Sequence, residues 1–349
     1  MGRSAILLVS GLALMFGVFT ISMNKSFESL SSSEVGYYNY SYARNIARTA
    51  IHRTLREYDK ATPTIPTTGT FDGGAYTIGI SVSGATGDTM LITSVGTYPD
   101  NSSEELKSHY TMHVKLLRTT KPFPSSKSAI GIRAVPVTYN ISGSPQVDGR
   151  NYDATGTTLV GSGDLPGVTT MNPVDSAQVA NAGGANIIGS PAVKVDTSVV
   201  DPKDFIDEYK ANADYKYPSS GTFSGATWGS PTSPVITYCN AGDNPDFSIK
   251  FTGGVVGYGI LVVRGDVQFN GNLEFYGLVI VDGFNTTVTF GASGTPKIVG
   301  GVIVAGNAGA KVTLKGTGSN AKIRYSSEAL ARARNIGKLR YYSIMDWYE

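Results

Sequence analysis

The sequence predicts an α+β chain, mainly β: a long N-terminal helix with an apolar first half, a small antiparallel β-meander, and a C-terminal β-solenoid-like domain. Three observations carry this. An uncharged apolar run, Ala5 to Ile21, passes into a polar stretch of helical period. Strands of period two follow it, and a short pattern then recurs between Gly259 and Tyr325. The expected organisation is 1–60 helix, 61–120 meander and 121–349 Gly-rich head.

The apolar run holds 17 residues and no charge. At ~1.5 Å per residue it reaches about 26 Å, barely the thickness of a hydrocarbon core. Arg3 precedes it and Lys25 and Glu28 follow, so the positive-inside rule places the N-terminus in the cytoplasm and the remainder outside. A cleaved secretory signal, removed near Ser22 or Met23, is the alternative; Thr20-Ile21-Ser22-Met23-Asn24 lacks the small-x-small site that cleavage needs.

Beyond Asn24, Val35, Tyr38, Tyr42, Ile46, Ile51, Leu55 and Tyr58 recur at helical spacing and give the helix one face to bury. Arg44, Arg48, His52 and Arg56 recur every four residues on the opposite side, a basic stripe that favours an acidic partner. Glu28 and Glu34 sit several turns earlier, where a neighbouring rod in an axially staggered bundle would bring them to those arginines. A solvated basic face explains the stripe equally. Gly11, Gly17, Ser31 to Ser33 and Gly36 weaken the helix and are expected to bend it. Thr62-Pro63-Thr64-Ile65-Pro66 ends it.

Composition narrows the function. The 349 residues carry a net charge of +2 and only 16% charged side chains, against about 25% in an ordinary soluble domain. Such neutrality offers no nucleic-acid signature. Forty-two glycines among Thr, Ser, Val and Tyr suit an extracellular β protein with many tight turns. Cys239 stands alone, which rules out an internal disulfide and argues against a thiolate zinc site; it reads as a small buried hydrophobe.

Ala75 to Val82, Thr89 to Gly96 and Tyr110 to Leu117 read as the meander, one face of which can cover the helix. His109 and His113, four apart on a strand, sit ~13 Å from each other and cannot share a metal. After Thr119 to Ser126, the head repeats three short strands every 18 to 25 residues, with glycine and asparagine at corners. Gly259, Gly277 and Gly301 open one series; Val267, Val288 and Val312 a second; Leu273, Lys297 and Lys322 a third. Ala129 to Ile132 and Val137 to Gly143 read as an earlier, degenerate coil. Short helices are expected near 201–210, with Asp201 as cap, and near 327–335, where the second closes the open end of the stack.

These residues resemble type IV pilin-like proteins, of the kind with a PilX-like N-terminal region and a β-solenoid head. The resemblance rests on the apolar helix, on Tyr42-Ala43-Arg44-Asn45-Ile46-Ala47-Arg48-Thr49-Ala50-Ile51 running into Leu55, and on coils ending Arg324-Tyr325-Ser326-Ser327-Glu328-Ala329-Leu330. It covers the first 60 residues and about the last 100. It implies a subunit held in the inner membrane, then drawn by pilus or type II secretion-like machinery into a homopolymeric surface filament whose core is the apolar helices. The assembly surface would comprise Ile6, Leu7, Leu8, Leu12, Leu14, Phe16, Phe19 and Ile21, with Glu28, Glu34, Arg44, Arg48 and Arg56. One departure is plain: pilins carry a glutamate five residues after a cut that follows glycine, and a cut after Gly2 places Leu7 there. Either the filament forms without that carboxylate or the protein stays a single-pass anchor.

Two rival functions follow from the head. A solenoid can be a polysaccharide-active enzyme, which needs paired carboxylates in a groove, or a carbohydrate-binding or tip adhesin. Asp148 and Asp153, then Asp243 and Asp246, are the weak metal candidates, but turn chemistry explains both clusters as well and neither has calcium-loop spacing. No catalytic residue and no cofactor are expected.

Overall fold

A computed structural model of the chain describes residues 2–58, 64–83, 88–121, 123–124, 126–161, 163–284, 286–316 and 321–348. The chain forms two compact units, Met1–Thr119 with Tyr341–Glu349, and Thr120–Arg340.

In the first unit, helix α1 (Gly2–Tyr58) is unbroken. It continues without an unwound stretch through Gly11, Gly17, Ser31 to Ser33 and Gly36. Its hydroxyls are satisfied along the helix: Thr20 Oγ1 donates to the Phe16 carbonyl (2.7 Å) and Ser26 Oγ to that of Ser22 (3.0 Å). From Ala43 onward one face is buried, comprising Ala43, Ile46, Ala47, Ala50, Ile51 and Thr54. Lys60, Thr62 and Pro63, where the rod was expected to end, lie outside the described residues.

That face lies on an antiparallel sheet of β1 (Thr68–Phe71), β2 (Gly74–Ser83), β3 (Thr89–Tyr98) and β4 (Ser108–Thr120). Alternation does the sorting: Tyr110, Met112, Val114 and Leu116 are buried toward the helix, while His109 and His113 point the other way. There each imidazole Nδ1 meets a threonine hydroxyl on β3, at 3.0 Å from Thr97 and Thr93 respectively. The C-terminal strand Arg340–Tyr348 lies beside β4, so the chain's last strand completes this sheet. Its Tyr342 and Trp347 pack on the helix-side core.

The second unit is a parallel solenoid. Its upstream half holds β5 (Ile130–Ile132), β6 (Val137–Gly143), β7 (Gln146–Asp148), β8 (Val168–Thr170), β9 (Ile187–Ile188) and β10 (Val193–Val195). Its downstream half holds β11 (Tyr215–Tyr217), β12 (Gly221–Phe223), β13 (Thr227–Trp228), β14 (Val235–Cys239), β15 (Ser248–Phe251) and β16 (Val256–Arg264). The remaining downstream strands are β17 (Asp266–Gly271), β18 (Glu274–Asp282), β19 (Thr286–Gly294), β20 (Lys297–Val304), β21 (Ala310–Gly316) and β22 (Lys322–Tyr325). Like residues stack between coils, as Phe251, Phe269 and Phe290 do in register through the core.

Three expectations about the coils change. The third and first series are one strand, because each long strand bends at a glycine: Gly259, Gly277 and Gly300 have φ of 121°, 139° and 137° and stand side by side in register. A β-carbon on Gly277 would lie 2.0 Å from the Gly259 carbonyl oxygen, so the column admits glycine only. The step from β18 to β20 is also one residue shorter than read from the sequence. Gly277 pairs with Gly300 and not Gly301, which sets buried Phe275 beside buried Ile298.

The upstream coil is not the first in space. β5, β6 and β7 pair with β20, β21 and β22, the last downstream strands. The chain thus enters in mid-stack, climbs to β10, and restarts from β11 at the far end. Helix α2 (Pro173–Gly183) packs against β6, β8 and β10 and buries Val179 in the solenoid core, so it closes the β10 end. Helix α3 (Lys203–Asn212) lies against the outer face of β14. It begins two residues later than expected, with the Asp201 carboxylate accepting from the Lys203 amide at 3.2 Å. Helix α4 (Ser327–Arg334) does not close an end. It lies across β16, β18 and β20, where Leu330 and Ala333 join Ile260, Leu278 and Ile303 in a second cluster. Cys239 is buried and free, and burial pushes its thiol pKa up.

Candidate functional site: the exposed apolar helix

From Leu8 to Ile21 helix α1 carries no charged side chain and is exposed throughout. Leu8, Leu12, Leu14, Phe16, Phe19 and Ile21 are all open, Leu14 at 70%. The side chains of Ile6 and Leu7 lie outside the described residues. Among the described residues this is the one helix long and apolar enough to cross a membrane, and its apolar window is unburied. Gly11 and Gly17 have open space around them, which leaves room for close approach by another helix.

Apolar exposure does not stop where a bilayer would. Phe27, Leu30, Val35, Tyr37, Tyr38 and Tyr40 are also exposed. From Ile21 to Tyr38 the helix rises roughly another 25 Å, nearly a second hydrocarbon thickness. Val35 and Tyr38 were read from the sequence as part of the buried face; within this chain burial begins later, at Ala43.

The expected charges lie on the surface of the same rod: Glu28, Glu34, Arg44, Arg48 and Arg56 are exposed. The stripe is partly engaged within the unit. The Arg44 guanidinium stands 5.8 Å over the Tyr110 ring, and His52 lies against Trp347 at 5.2 Å. Arg53, which the sequence reading passed over, donates to the Tyr76 hydroxyl at 3.4 Å. Where the rod meets the sheet, Tyr38, Tyr42 and Tyr98 cluster, with centroid separations of 4.4 Å and 4.8 Å along that series. A hydrogen bond with the Tyr42 hydroxyl, helped by desolvation, pushes the Tyr38 pKa up to about 12.

Three of the four aspartates considered as metal ligands have carboxylates engaged by partners within the fold. Asp148 is buried and accepts from the Arg150 guanidinium (2.7 Å) and the Tyr152 hydroxyl (2.7 Å). Burial alone would raise its pKa, but those partners outweigh it and hold the carboxyl below its ordinary value. Asp153 accepts from the Thr157 amide (2.7 Å) and the Thr155 hydroxyl (2.8 Å); these bonds outweigh desolvation and hold its pKa at about 2. Asp243 pairs with Lys210 and Arg264. Asp246 is exposed beside Asn244, whose side chain accepts the Asp246 amide at 3.0 Å. Among the described residues, no group of three or more His, Cys, Asp or Glu gathers to hold a metal ion.

No family model matches this chain, and no curated protein matches it. Among solved structures it is similar to the crystal structure of the competence-associated pilin ComZ from Thermus thermophilus. The match covers 91% of this chain and 97% of that one, at 10% identity and a TM-score of 0.27. A superposition this loose leaves the functional reading to the helix itself.

Proposed function

We propose that this chain is a structural subunit of a bacterial extracellular filament, inserted in the inner membrane before assembly. It polymerises through α1, so that the apolar helices form the core and the β units lie outside. Machinery of the pilus or type II secretion kind would draw it from the bilayer.

One observation carries the proposal. Exposed apolar side chains run from Leu8 to Tyr40, well beyond what a single bilayer covers. Burying each large side chain is worth about 1.5–3 kcal/mol, and a patch this long is a contact surface. Lipid accounts for the segment to Ile21 and leaves Phe27, Leu30, Val35 and Tyr38 in water. Copies of the same rod, axially offset, cover both segments. The same offset places Glu28 and Glu34 of one copy near the arginines of the next.

Electron microscopy of material sheared from cells, with stoichiometry by mass spectrometry, tests this. A building block is the main protein of the filaments. A trace amount contradicts that role and fits a tip adhesin; absence fits a single-pass anchor.

A further inference from the structure

The chain's last strand, β23 (Arg340–Tyr348), is a sheet edge without the usual protections. Among the described residues, β1 and β23 are the two margins of the first unit's sheet. Soluble proteins blunt such margins with lysine, proline or a covering element, because a row of unpaired amides and carbonyls recruits another strand. From Tyr341 to Tyr348 the sequence has no lysine and no proline, and Asp346 is its one charge. Tyr341, Ile344, Met345 and Tyr348 are exposed there, Met345 at 55%. The opposite margin, β1, ends on Phe71, which is 51% exposed.

Strand direction decides what can fill this edge. β1, β2, β3 and β4 alternate in direction. Ser343 Oγ donates to the Leu117 carbonyl, and the Tyr348 ring lies against His113, so β23 runs antiparallel to β4. β1 and β23 therefore point the same way. Two copies joined β23 to β23 about a two-fold axis would set their helices in opposite directions and close as a dimer. Copies whose helices run in parallel meet instead through two different edges, and β23 beside the next copy's β1 continues the sheet as a parallel pair. The position of the edge agrees with this. The basic stripe of α1 runs along the same margin, with His52 packed on Trp347 and Arg44 over Tyr110, so the edge adjoins the surface through which the rods are proposed to meet. Resting on that filament reading, we infer that β23 of one copy pairs with β1 of the next, so that the sheet of the first unit runs on from subunit to subunit.

Disulfide trapping in the full chain tests the pairing, on material sheared from cells that carry Cys239→Ser. Thr70→Cys is combined in turn with Ser343→Cys, Ile344→Cys and Met345→Cys, all exposed positions. Within one copy β1 and β23 stand four strand spacings apart, roughly 19 Å, so no disulfide can close there. Oxidation is expected to give, for at least one pair, a ladder of dimers and higher adducts that reduction collapses, and to give none with a single cysteine. Filaments that form but yield no ladder from any pair overturn the strand pairing and leave the polymer standing. Dimers from a β23 cysteine alone overturn it too, since they report β23 against β23. A Cys239→Ser parent that makes no filaments strikes the polymer itself, and this pairing with it.

Discussion

Gly96 and Ala43 meet backbone to backbone: a β-carbon on Gly96 would lie 2.1 Å from the Ala43 carbonyl oxygen and 2.7 Å from the Ala47 amide nitrogen. The helix therefore sits on β3 at a distance that only glycine at this strand position allows. Gly96→Ala is expected to lift α1 from the sheet at a cost of about 1–3 kcal/mol. Hydrogen exchange at the Ala43 to Thr54 amides would rise, while amides of the solenoid stay protected.

The glycine column of the head makes a second prediction. Gly277 combines a positive φ with a neighbouring carbonyl where its β-carbon would go, so Gly277→Ala meets both obstacles. A loss of about 2–3 kcal/mol is expected, read as a lower melting temperature for the head. Gly11→Ala on α1, with open space around it, should leave melting unchanged.

Acid should weaken the head through Asp148. Its folded pKa is depressed, so its contribution is complete above the unfolded value of ~3.9 and is lost as pH falls through the lower folded value. Asp148→Asn is expected to cost about 2 kcal/mol at neutral pH by stranding Arg150. The difference from wild type should shrink below roughly pH 3, which melting curves across pH would show.

Charge on the rod bears on assembly. Arg44→Glu with Arg48→Glu should cut filament yield several-fold, while Lys250→Glu on the exposed solenoid surface leaves it intact. Each exposed pair is worth only about 0–1 kcal/mol, but it repeats at every subunit. Adding Glu28→Lys and Glu34→Lys should restore yield if the staggered pairing holds. Wild-type yield from the double reversal would remove the stripe from the account.

Much of this was legible in the sequence because it is written as repetition. The apolar run, the period-two meander and the Gly-Val coils each leave a pattern that survives without neighbours. What was not legible depends on which like element meets which. Parallel coils look alike, so nothing local says that β5 stacks on β20, or that β18 steps to β20 one residue early. Helix α2 hid among glycine, alanine and serine, although Asn172-Pro173-Val174-Asp175 is a readable start: Asn172 caps the Asp175 amide at 2.8 Å. The charges of α1 were visible, but the ring contacts of Arg44 and His52 depend on Tyr110 and Trp347, far away in sequence.

Photocrosslinking from inside the assembled material tests the central claim most directly. A benzophenone amino acid placed at Phe27 or Leu30, beyond the reach of the bilayer, should on illumination of cell-surface material give a ladder of dimers and higher adducts of this chain with itself. Monomer alone, or adducts only to unrelated proteins, would contradict the polymeric reading.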